Sequence, residues 1–384
     1  MRLLRFLKSD LGSAMSDNPE PFLRAVETQS HLGDRFTSME RIDALGGGGR
    51  FSLLFKARDG TTGRQVALKF FPRGLRSHQN DPYRRNCFEN EEQTLGNLRG
   101  QKGIIEWVAG RSPLPLQLSL GGLPIDLPLS YYAMELARMS VGGAIAGNMW
   151  GPDQSLRAFR EMCRSVQRIH KLGIAHLDLK PENFLILFDR RIKLGDFGTA
   201  HNIQDVTRPW RPEYCPPGDK LYAAPEMLAG LYVDYPRLTL CADIFALGAI
   251  LFELVTGVQL GHYLLSQTER DALAPWLRMV TKSDNRLEVY RGSVQRLADA
   301  HPLPTITAFS PNAPSIIHYH IDKLYQGMTA LNYERRLCKF ESIFRQIDIC
   351  LLLLRKEAEY RRWEEAKRRR RLGLMLRRGE RVYD

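Results

Sequence analysis

A change of hydrophobic period partway along the chain constrains the fold more than any other feature. From Phe36 to Leu136 the apolar residues fall in short β-branched and aromatic runs broken by glycine, and beyond residue 150 they recur at steps of three and four. Strand side chains alternate between faces, whereas helix side chains return to one face every 3.6 residues. The chain therefore reads as a small strand-rich part followed by a larger helical part. In the first part, Asp59-Gly60-Thr61-Thr62-Gly63 joins strand-like Leu53–Ala57 and Gln65–Phe71 as a hairpin turn. Phe88, Leu95 and Leu98 mark one face of a helix, and Tyr131–Leu136 reads as a strand. Residues 111–130, rich in Pro, Leu and Gly, read as an insertion or long loop. In the second part, Leu156, Phe159, Cys163, Val166 and His170 form an amphipathic stripe, with Asp153 or Ser155 to cap its start and Gly173 to end it. Two short strands, 184–188 and 192–195, precede a buried helix at 243–256. A long helix over 337–371 is supported by Glu357–Arg361, Glu364–Arg368 and Glu365–Arg369 pairs.

Composition narrows the class. With 43% hydrophobic and 26% charged residues, whole-chain disorder is excluded. The longest apolar run is Ile244–Phe252, and a membrane span needs about 20 residues, so no transmembrane segment is expected. The apolar core of MRLLRFLKSD is too short for a secretory signal. A cytoplasmic protein, with peripheral membrane contact as a variant, is the expectation. The six cysteines form no CxxC pair and read as inert thiols, while His318 and His320, two apart, suit a strand face and a structural role. The net charge of +12 is uneven: residues 355–384 hold twelve Lys or Arg against six Asp or Glu. That basic tail suits a solvated helix end, an anionic membrane surface, a nucleic acid or an acidic protein.

Four motifs carry chemistry, the first supported by a lysine on the next strand. LGGGGRFSLLFKA (45–57) has consecutive glycines that let a backbone approach a phosphate, although glycine runs also make plain turns. Lys69, in Val66-Ala67-Leu68-Lys69, is a lysine on an apolar strand, costly to bury unpaired. His176-Leu177-Asp178-Leu179-Lys180-Pro181-Glu182-Asn183 is followed thirteen residues later by Asp196-Phe197-Gly198, and then by Ala224-Pro225-Glu226 and Asp243. Each tripeptide is weak alone; their order and spacing are not.

This series resembles the protein kinase superfamily, over roughly residues 36–345, with Lys180 suggesting the serine/threonine type. The resemblance implies an α+β, two-lobed fold: an extension (1–34), a small β-rich N-lobe (35–136), a large helical C-lobe (137–350) and a basic helix or tail (351–384). It implies transfer of the γ-phosphate of ATP to a protein hydroxyl, with magnesium. Gly47, Gly49 and Ser52 (at the third glycine position) would cover the phosphates. Lys69 would hold them and pair with Glu91, favoured over Glu92 by its spacing to Leu95. Met134 falls at the gatekeeper position, and the backbones of Glu135 and Ala137 would grip adenine. Asp178 would take the hydroxyl proton, Lys180 would neutralise the moving phosphoryl, and Asn183 and Asp196 would ligate Mg2+. Arg336 would brace Glu226. Two departures stand out. Leu177 replaces the arginine that normally receives an activation-loop phosphate, which implies activity independent of phosphate on Thr199, Thr207 or Tyr214. Asp219 replaces a threonine after Gly218 and would pair with Lys180 or disturb substrate docking. A nucleotide-binding pseudokinase scaffold is the alternative reading.

Overall fold

The structure is a computed structural model that describes residues 26–29, 31–42, 53–71, 81–120, 123–204, 218–264, 267–309 and 314–377. The first part is an antiparallel six-stranded sheet: β1 (His31–Leu32), β2 (Phe36–Arg41), β3 (Leu53–Asp59), β4 (Gln65–Phe71), β5 (Trp107–Leu120) and β6 (Leu123–Glu135), in the order β1-β2-β3-β4-β6-β5. Helix α1 (Asp81–Asn97) packs on it. β4 is buried on both faces, and its alternation divides two cores. Val66, Leu68 and Phe70 pack with Phe36, Phe55 and Tyr131, whereas Ala67 and Phe71 face Phe88 and Leu95 of α1. The Phe88 ring lies 5.5 Å from Phe71 and 5.1 Å from Tyr132. Lys69 shares the period of Ala67 and Phe71, so it points toward α1.

The β3–β4 turn forms as the sequence predicts. The Asp59 carboxylate accepts bonds from Arg35, the Thr61 N–H and the Thr62 hydroxyl. Residues 111–130 depart from the reading as an insertion or long loop. They extend β5 and β6 into a two-stranded ribbon in which Leu114 pairs in register with Leu129, Leu116 with Leu127 and Leu118 with Ile125. The alternation of Leu with other residues is a period of two, and it prevails over the prolines. β5 is an edge strand of the sheet and β4 stops at the register of Ser130, so among the described residues each ribbon strand has an outer edge where a missing N–H breaks no ladder bond.

The second part contains β7 (Met139–Ser140), α2 (Val141–Ala146), α3 (Pro152–Lys171), β8 (Ile174–Ala175), β9 (Phe184–Ile186), β10 (Ile192–Leu194), β11 (His201–Asn202), α4 (Pro225–Leu228) and α5 (Leu238–Thr256). After them come α6 (Leu260–Leu264), α7 (Gln267–Lys282), α8 (Arg286–Ala300), α9 (Ser315–Met328) and α10 (Phe340–Arg377). α3 starts differently from expectation: Gly151 is its N-cap and Pro152 its first residue, while Asp153 sits in the first turn and pairs with Arg157. Proline at that position loses no helical bond. Gly173 follows its end with a φ of 74°. The apolar stripe of α3 packs on α5 and α10. α5 is long and apolar enough to cross a membrane, but most of it is buried inside the protein as a core helix. His318 and His320 lie on α9, not on a strand, and so do not share a face. Among the described residues no cluster of three or more His, Cys, Asp or Glu could hold a metal. α10 buries Phe340, Ile343, Ile347 and Cys350 and is tied to α3 by Arg160–Asp348 at 2.8 Å. From Ala358 to Arg370 it is exposed throughout.

Burial of Glu253 on α5 pushes its carboxyl up to about 7, against the bond it accepts from the Tyr222 hydroxyl at 2.6 Å. The native state therefore holds this proton over a range where the unfolded chain has lost it. The stability contribution is complete below the ordinary carboxyl value and declines as pH rises through about 7. At about 1.4 kcal/mol per pKa unit, the effect amounts to a few kcal/mol. Urea unfolding at pH 5 and pH 8 should show Glu253→Gln gaining stability relative to wild type at the higher pH. Equal differences at both pH values would contradict this.

Candidate active site

Four segments from both parts of the molecule converge. β4 and α1 bring Lys69 Nζ to 2.5 Å from Glu91 Oε2, and the 194–200 segment places Asp196 Oδ1 3.3 Å from the same nitrogen. Glu91, not Glu92, is the partner. Burial alone would depress the Lys69 ammonium, but the charges of Asp196 and Glu91 prevail and hold it protonated. Asn90, one residue before Glu91, was not singled out by the sequence. Its side-chain amide lies 3.2, 3.0 and 2.8 Å from the carbonyls of Phe197, Gly198 and Ala200. α1 thus holds the Asp196-Phe197-Gly198 turn through its backbone as well as through Lys69. A polar residue on this helix was the only available signal, since the carbonyls it meets lie more than a hundred residues away.

The segment from His176 to Asn183 is held from below by Asp243 of α5. The buried Asp243 carboxylate accepts from the N–H groups of His176 at 2.8 Å and Leu177 at 2.9 Å, and lies 2.9 Å from His170 Nε2. Leu177 has a φ of 67° and Asp196 one of 58°. Left-handed backbone at a non-glycine residue costs of order 1–3 kcal/mol and persists only where surrounding structure enforces it. Both strained residues flank the cleft. Leu177 is itself buried, with its side chain among Ala224, Met227 and Phe245. His176 is within hydrogen-bond reach of the Gly195 carbonyl at 3.0 Å, and its ring lies 5.0 Å from that of Phe197.

The strained Leu177 presents Asp178 to a convergent set of donors. Lys180 Nζ donates to Asp178 Oδ2 at 2.9 Å and the Asp219 N–H to Oδ1 at 2.9 Å. The Asn183 amide donates to the Asp178 carbonyl at 2.6 Å and to Oδ2 at 3.2 Å. Lys180 therefore pairs with Asp178, and the Asp219 carboxylate accepts from the Leu221 N–H instead. Burial raises the Asp178 carboxyl, with Lys180 opposing and Asp196 adding to the shift. At Asp196 the desolvation of the cleft also favours the neutral form, but Lys69 and Lys180 outweigh it and hold the carboxyl below its usual range. Met134 pairs with Ala67 at the cleft edge of the sheet. The Glu135 N–H donates to the Glu106 carbonyl at 2.9 Å, and its carboxylate binds Lys193 Nζ of β10 at 2.6 Å. Ala137 lies in the short link from β6 to β7, and the next residue, Arg138, donates its N–H to the Ile186 carbonyl. Gly47, Gly49 and Ser52 lie outside the described residues, as do Thr207 and Tyr214. Of the residues on either side of the glycines, the Ile42 N–H donates to the Leu54 carbonyl at 3.0 Å.

The donor chemistry fits magnesium. Asn183 spends its amide nitrogen on Asp178, which leaves its oxygen to join a carboxylate kept ionised at Asp196. Hard oxygen donors are what Mg2+ selects. Below the cleft, Glu226 and Arg336 form a fully buried ion pair. Arg336 also donates to the carbonyls of Ala330 and Cys241, and the Tyr290 hydroxyl lies 3.3 Å from Glu226. Such a pair is costly to break, because either partner alone is an uncompensated buried charge.

Comparison with known proteins agrees with this geometry. The family described as the protein kinase domain matches residues 39–343. The chain is 28% identical over 228 residues to the probable serine/threonine-protein kinase PknB of Corynebacterium glutamicum, covering 59% of this chain and 32% of that protein. It is 31% identical over 228 residues to the Wee1-like protein kinase of Oryza sativa subsp. japonica, covering 58% and 37%. With the serine/threonine-protein kinase PknB of Mycobacterium leprae it shares 30% identity over 238 residues, covering 60% and 34%. The chain spans about a third of the length of these curated relatives. It belongs to the protein kinase family, and its fold is the two-lobed α+β fold of that family.

Gly218 supports this arrangement sterically. Its φ is 85°, and a Cβ there would lie 2.2 Å from the Leu177 carbonyl oxygen and 3.2 Å from Asp178 Oδ1. Gly218→Ala should therefore push residue 219 off Asp178 and lower stability by at least about 1–3 kcal/mol. Thermal melting of the variant beside wild type checks this, and coincident curves would contradict it.

Proposed function

We propose that the chain is a protein serine/threonine kinase that transfers the γ-phosphate of ATP to a protein hydroxyl with magnesium. The observation that carries this reading is the joining of Lys69, Glu91 and Asp196 into one charged cluster beside the Asp178–Lys180–Asn183 cluster. Lys69, fixed by Glu91, binds the α- and β-phosphates. Asn183 and Asp196 hold magnesium, which offsets phosphate charge when bound. Asp178, its carboxyl raised by burial, orients the substrate hydroxyl and accepts its proton. Lys180, within reach of Asp178, carries positive charge to the phosphoryl in transit. Gly47, Gly49 and Ser52 cover the phosphates, while Met134 and the backbones of Glu135 and Ala137 receive the adenine. Residues 35–136 and 137–350 act as the two walls of this cleft.

The second reading is a nucleotide-binding scaffold. It is favoured by Asp219, which stands where a threonine is usual and turns its carboxylate to the Leu221 N–H. The buried Leu177 supports activity that needs no phosphate on Thr199, Thr207 or Tyr214; Thr199 already donates its hydroxyl to the His176 carbonyl. For the tail, the reading is peripheral attachment of a cytoplasmic protein to an anionic membrane surface. It rests on the exposed end of α10, where Arg361, Arg362, Lys367 and Arg368 accompany exposed Tyr360 and Trp363.

Two measurements test these readings. Nucleotide binding by calorimetry is set beside phosphate incorporation for wild type, Lys69→Ala, Asp196→Ala and Asp178→Asn. The first two variants should lose Mg-ATP affinity. Asp178→Asn should keep it and transfer phosphate about 10²- to 10⁴-fold more slowly. A wild type that binds Mg-ATP yet incorporates no more phosphate than Asp178→Asn would move the reading to the scaffold. For the tail, wild type should bind acidic vesicles with an affinity that falls steeply as salt rises, and a chain ending at residue 354 should not bind them. Equal binding by both chains would refute attachment through the tail, and preference for nucleic acid over vesicles would refute the membrane reading.

A further inference from the structure

Cys241 and Cys338 are 97 residues apart in sequence, yet their sulfurs are 3.4 Å apart. Cys241 stands in the first turn of α5, and Cys338 lies in the short segment between Arg336 and α10. Both are half-buried, whereas Cys163 and Cys350 are buried. The site is held in register by the ion pair beside it: Arg336 binds Glu226 and donates to the carbonyl of Cys241 itself at 2.9 Å. Thus the same guanidinium fixes one cysteine's backbone and lies two residues from the other. No third ligand-type side chain joins the two sulfurs among the described residues, so the pair is not a metal site.

We propose that Cys241 and Cys338 form a reversible oxidation site that a peroxide converts to a disulfide in the folded protein. The Cys241 sulfur attacks one oxygen of the peroxide and the O–O bond breaks. With hydrogen peroxide this leaves a sulfenic acid on Cys241 and releases one water. The Cys338 sulfur then attacks the Cys241 sulfur, the S–O bond breaks, and the hydroxyl leaves with the Cys338 proton as a second water. Two electrons pass from the sulfur pair to the peroxide. The roles follow from the surroundings. The S–H of Cys338 donates to Cys241, which lowers the Cys241 thiol against the opposing effect of burial, and the Arg336 charge assists. That same contact with Cys241 raises the Cys338 thiol. Burial pushes Cys87 and Cys350 up to about 12, and Cys163 is also raised, so these three serve as slow internal references. Bringing the sulfurs to bonding distance, about 2.05 Å, requires a shift smaller than a bond length.

The experiment treats the full chain with hydrogen peroxide under native conditions, blocks remaining thiols, digests without reductant and maps the peptides by mass spectrometry. A linked peptide pair joining Cys241 to Cys338, reversed by dithiothreitol, is expected. Modification of Cys241 should be at least about tenfold faster than that of Cys163 or Cys350, as expected for thiolate-controlled reactivity. In Cys338→Ala the sulfenic acid should persist on Cys241 and be trapped by dimedone, and in Cys241→Ala the Cys338 thiol should stay unmodified over the same interval. Closing a loop of this length should also raise the melting temperature of oxidised wild type by several degrees. Failure to find the linked pair, its appearance only in denaturant, or equal oxidation of Cys338 in Cys241→Ala would overturn the proposal. An oxidised protein that melts no higher than the reduced one would overturn the claim that the bridge forms in native geometry.

Discussion

The architecture of the cleft depends on one carboxylate beneath it. Asp243 lies inside a largely apolar helix, where an unpaired charge would be prohibitively costly. Its partners are the N–H groups of His176 and Leu177 and the ring of His170. Those bonds anchor a backbone that bends through a left-handed Leu177, and the bend delivers Asp178 to the cleft floor. The strain at Leu177 and the burial of Asp243 therefore offset each other. The loop supplies donors that the helix carboxylate requires, and the carboxylate holds a conformation that the loop alone would not keep.

Coupling between the two lobes follows the same logic with different groups. Lys69 and Glu91 belong to the sheet and its helix, while Asp196 belongs to the helical part, and all three share one network. Asn90 adds three contacts to main-chain carbonyls. A backbone carbonyl cannot be lost by substitution, so this connection depends on where the Asp196 turn runs and not on its side chains. On the opposite side of the cleft, Glu135 reaches Lys193. The small lobe is thus held to the large one both behind the cleft and at the link between lobes.

Much of this was legible before any coordinates. Lys69, Glu91, Asp178, Lys180, Asn183 and Asp196 meet because each belongs to a short local pattern with a fixed place in an ordered series. Glu91 could be separated from Glu92 by its step of four from Leu95, a purely helical argument. What escaped was of three kinds. Asn90 acts on distant carbonyls, which leave no mark in a sequence, and the Cys241–Cys338 contact joins residues with no local pattern at all. The 111–130 ribbon escaped for another reason. Its proline and glycine content outweighed a period-two leucine pattern, although proline disfavours a strand only where its N–H is needed. β5 is an edge strand of the sheet, and β6 gains a second edge where β4 ends, so that condition lapses.

The distribution of buried carboxyl groups explains why α5 organises the large lobe. Near its start it carries Asp243, and near its end Glu253, both buried among apolar neighbours. Asp243 is satisfied by backbone donors and a histidine, and Glu253 by Tyr222, which Gln259 supports in turn. Tyr222 and Asp219 belong to the same short segment, joined by the Tyr222 N–H to the Asp219 carbonyl at 3.1 Å. Asp219 reaches Asp178 through its N–H. One helix therefore positions Asp178 twice: through Asp243 from below, and through Glu253, Tyr222 and Asp219 from the side. Packing sets where α5 lies, because an apolar helix can pack in many orientations at similar cost. Its two carboxyl groups favour the observed orientation, in which both meet donors.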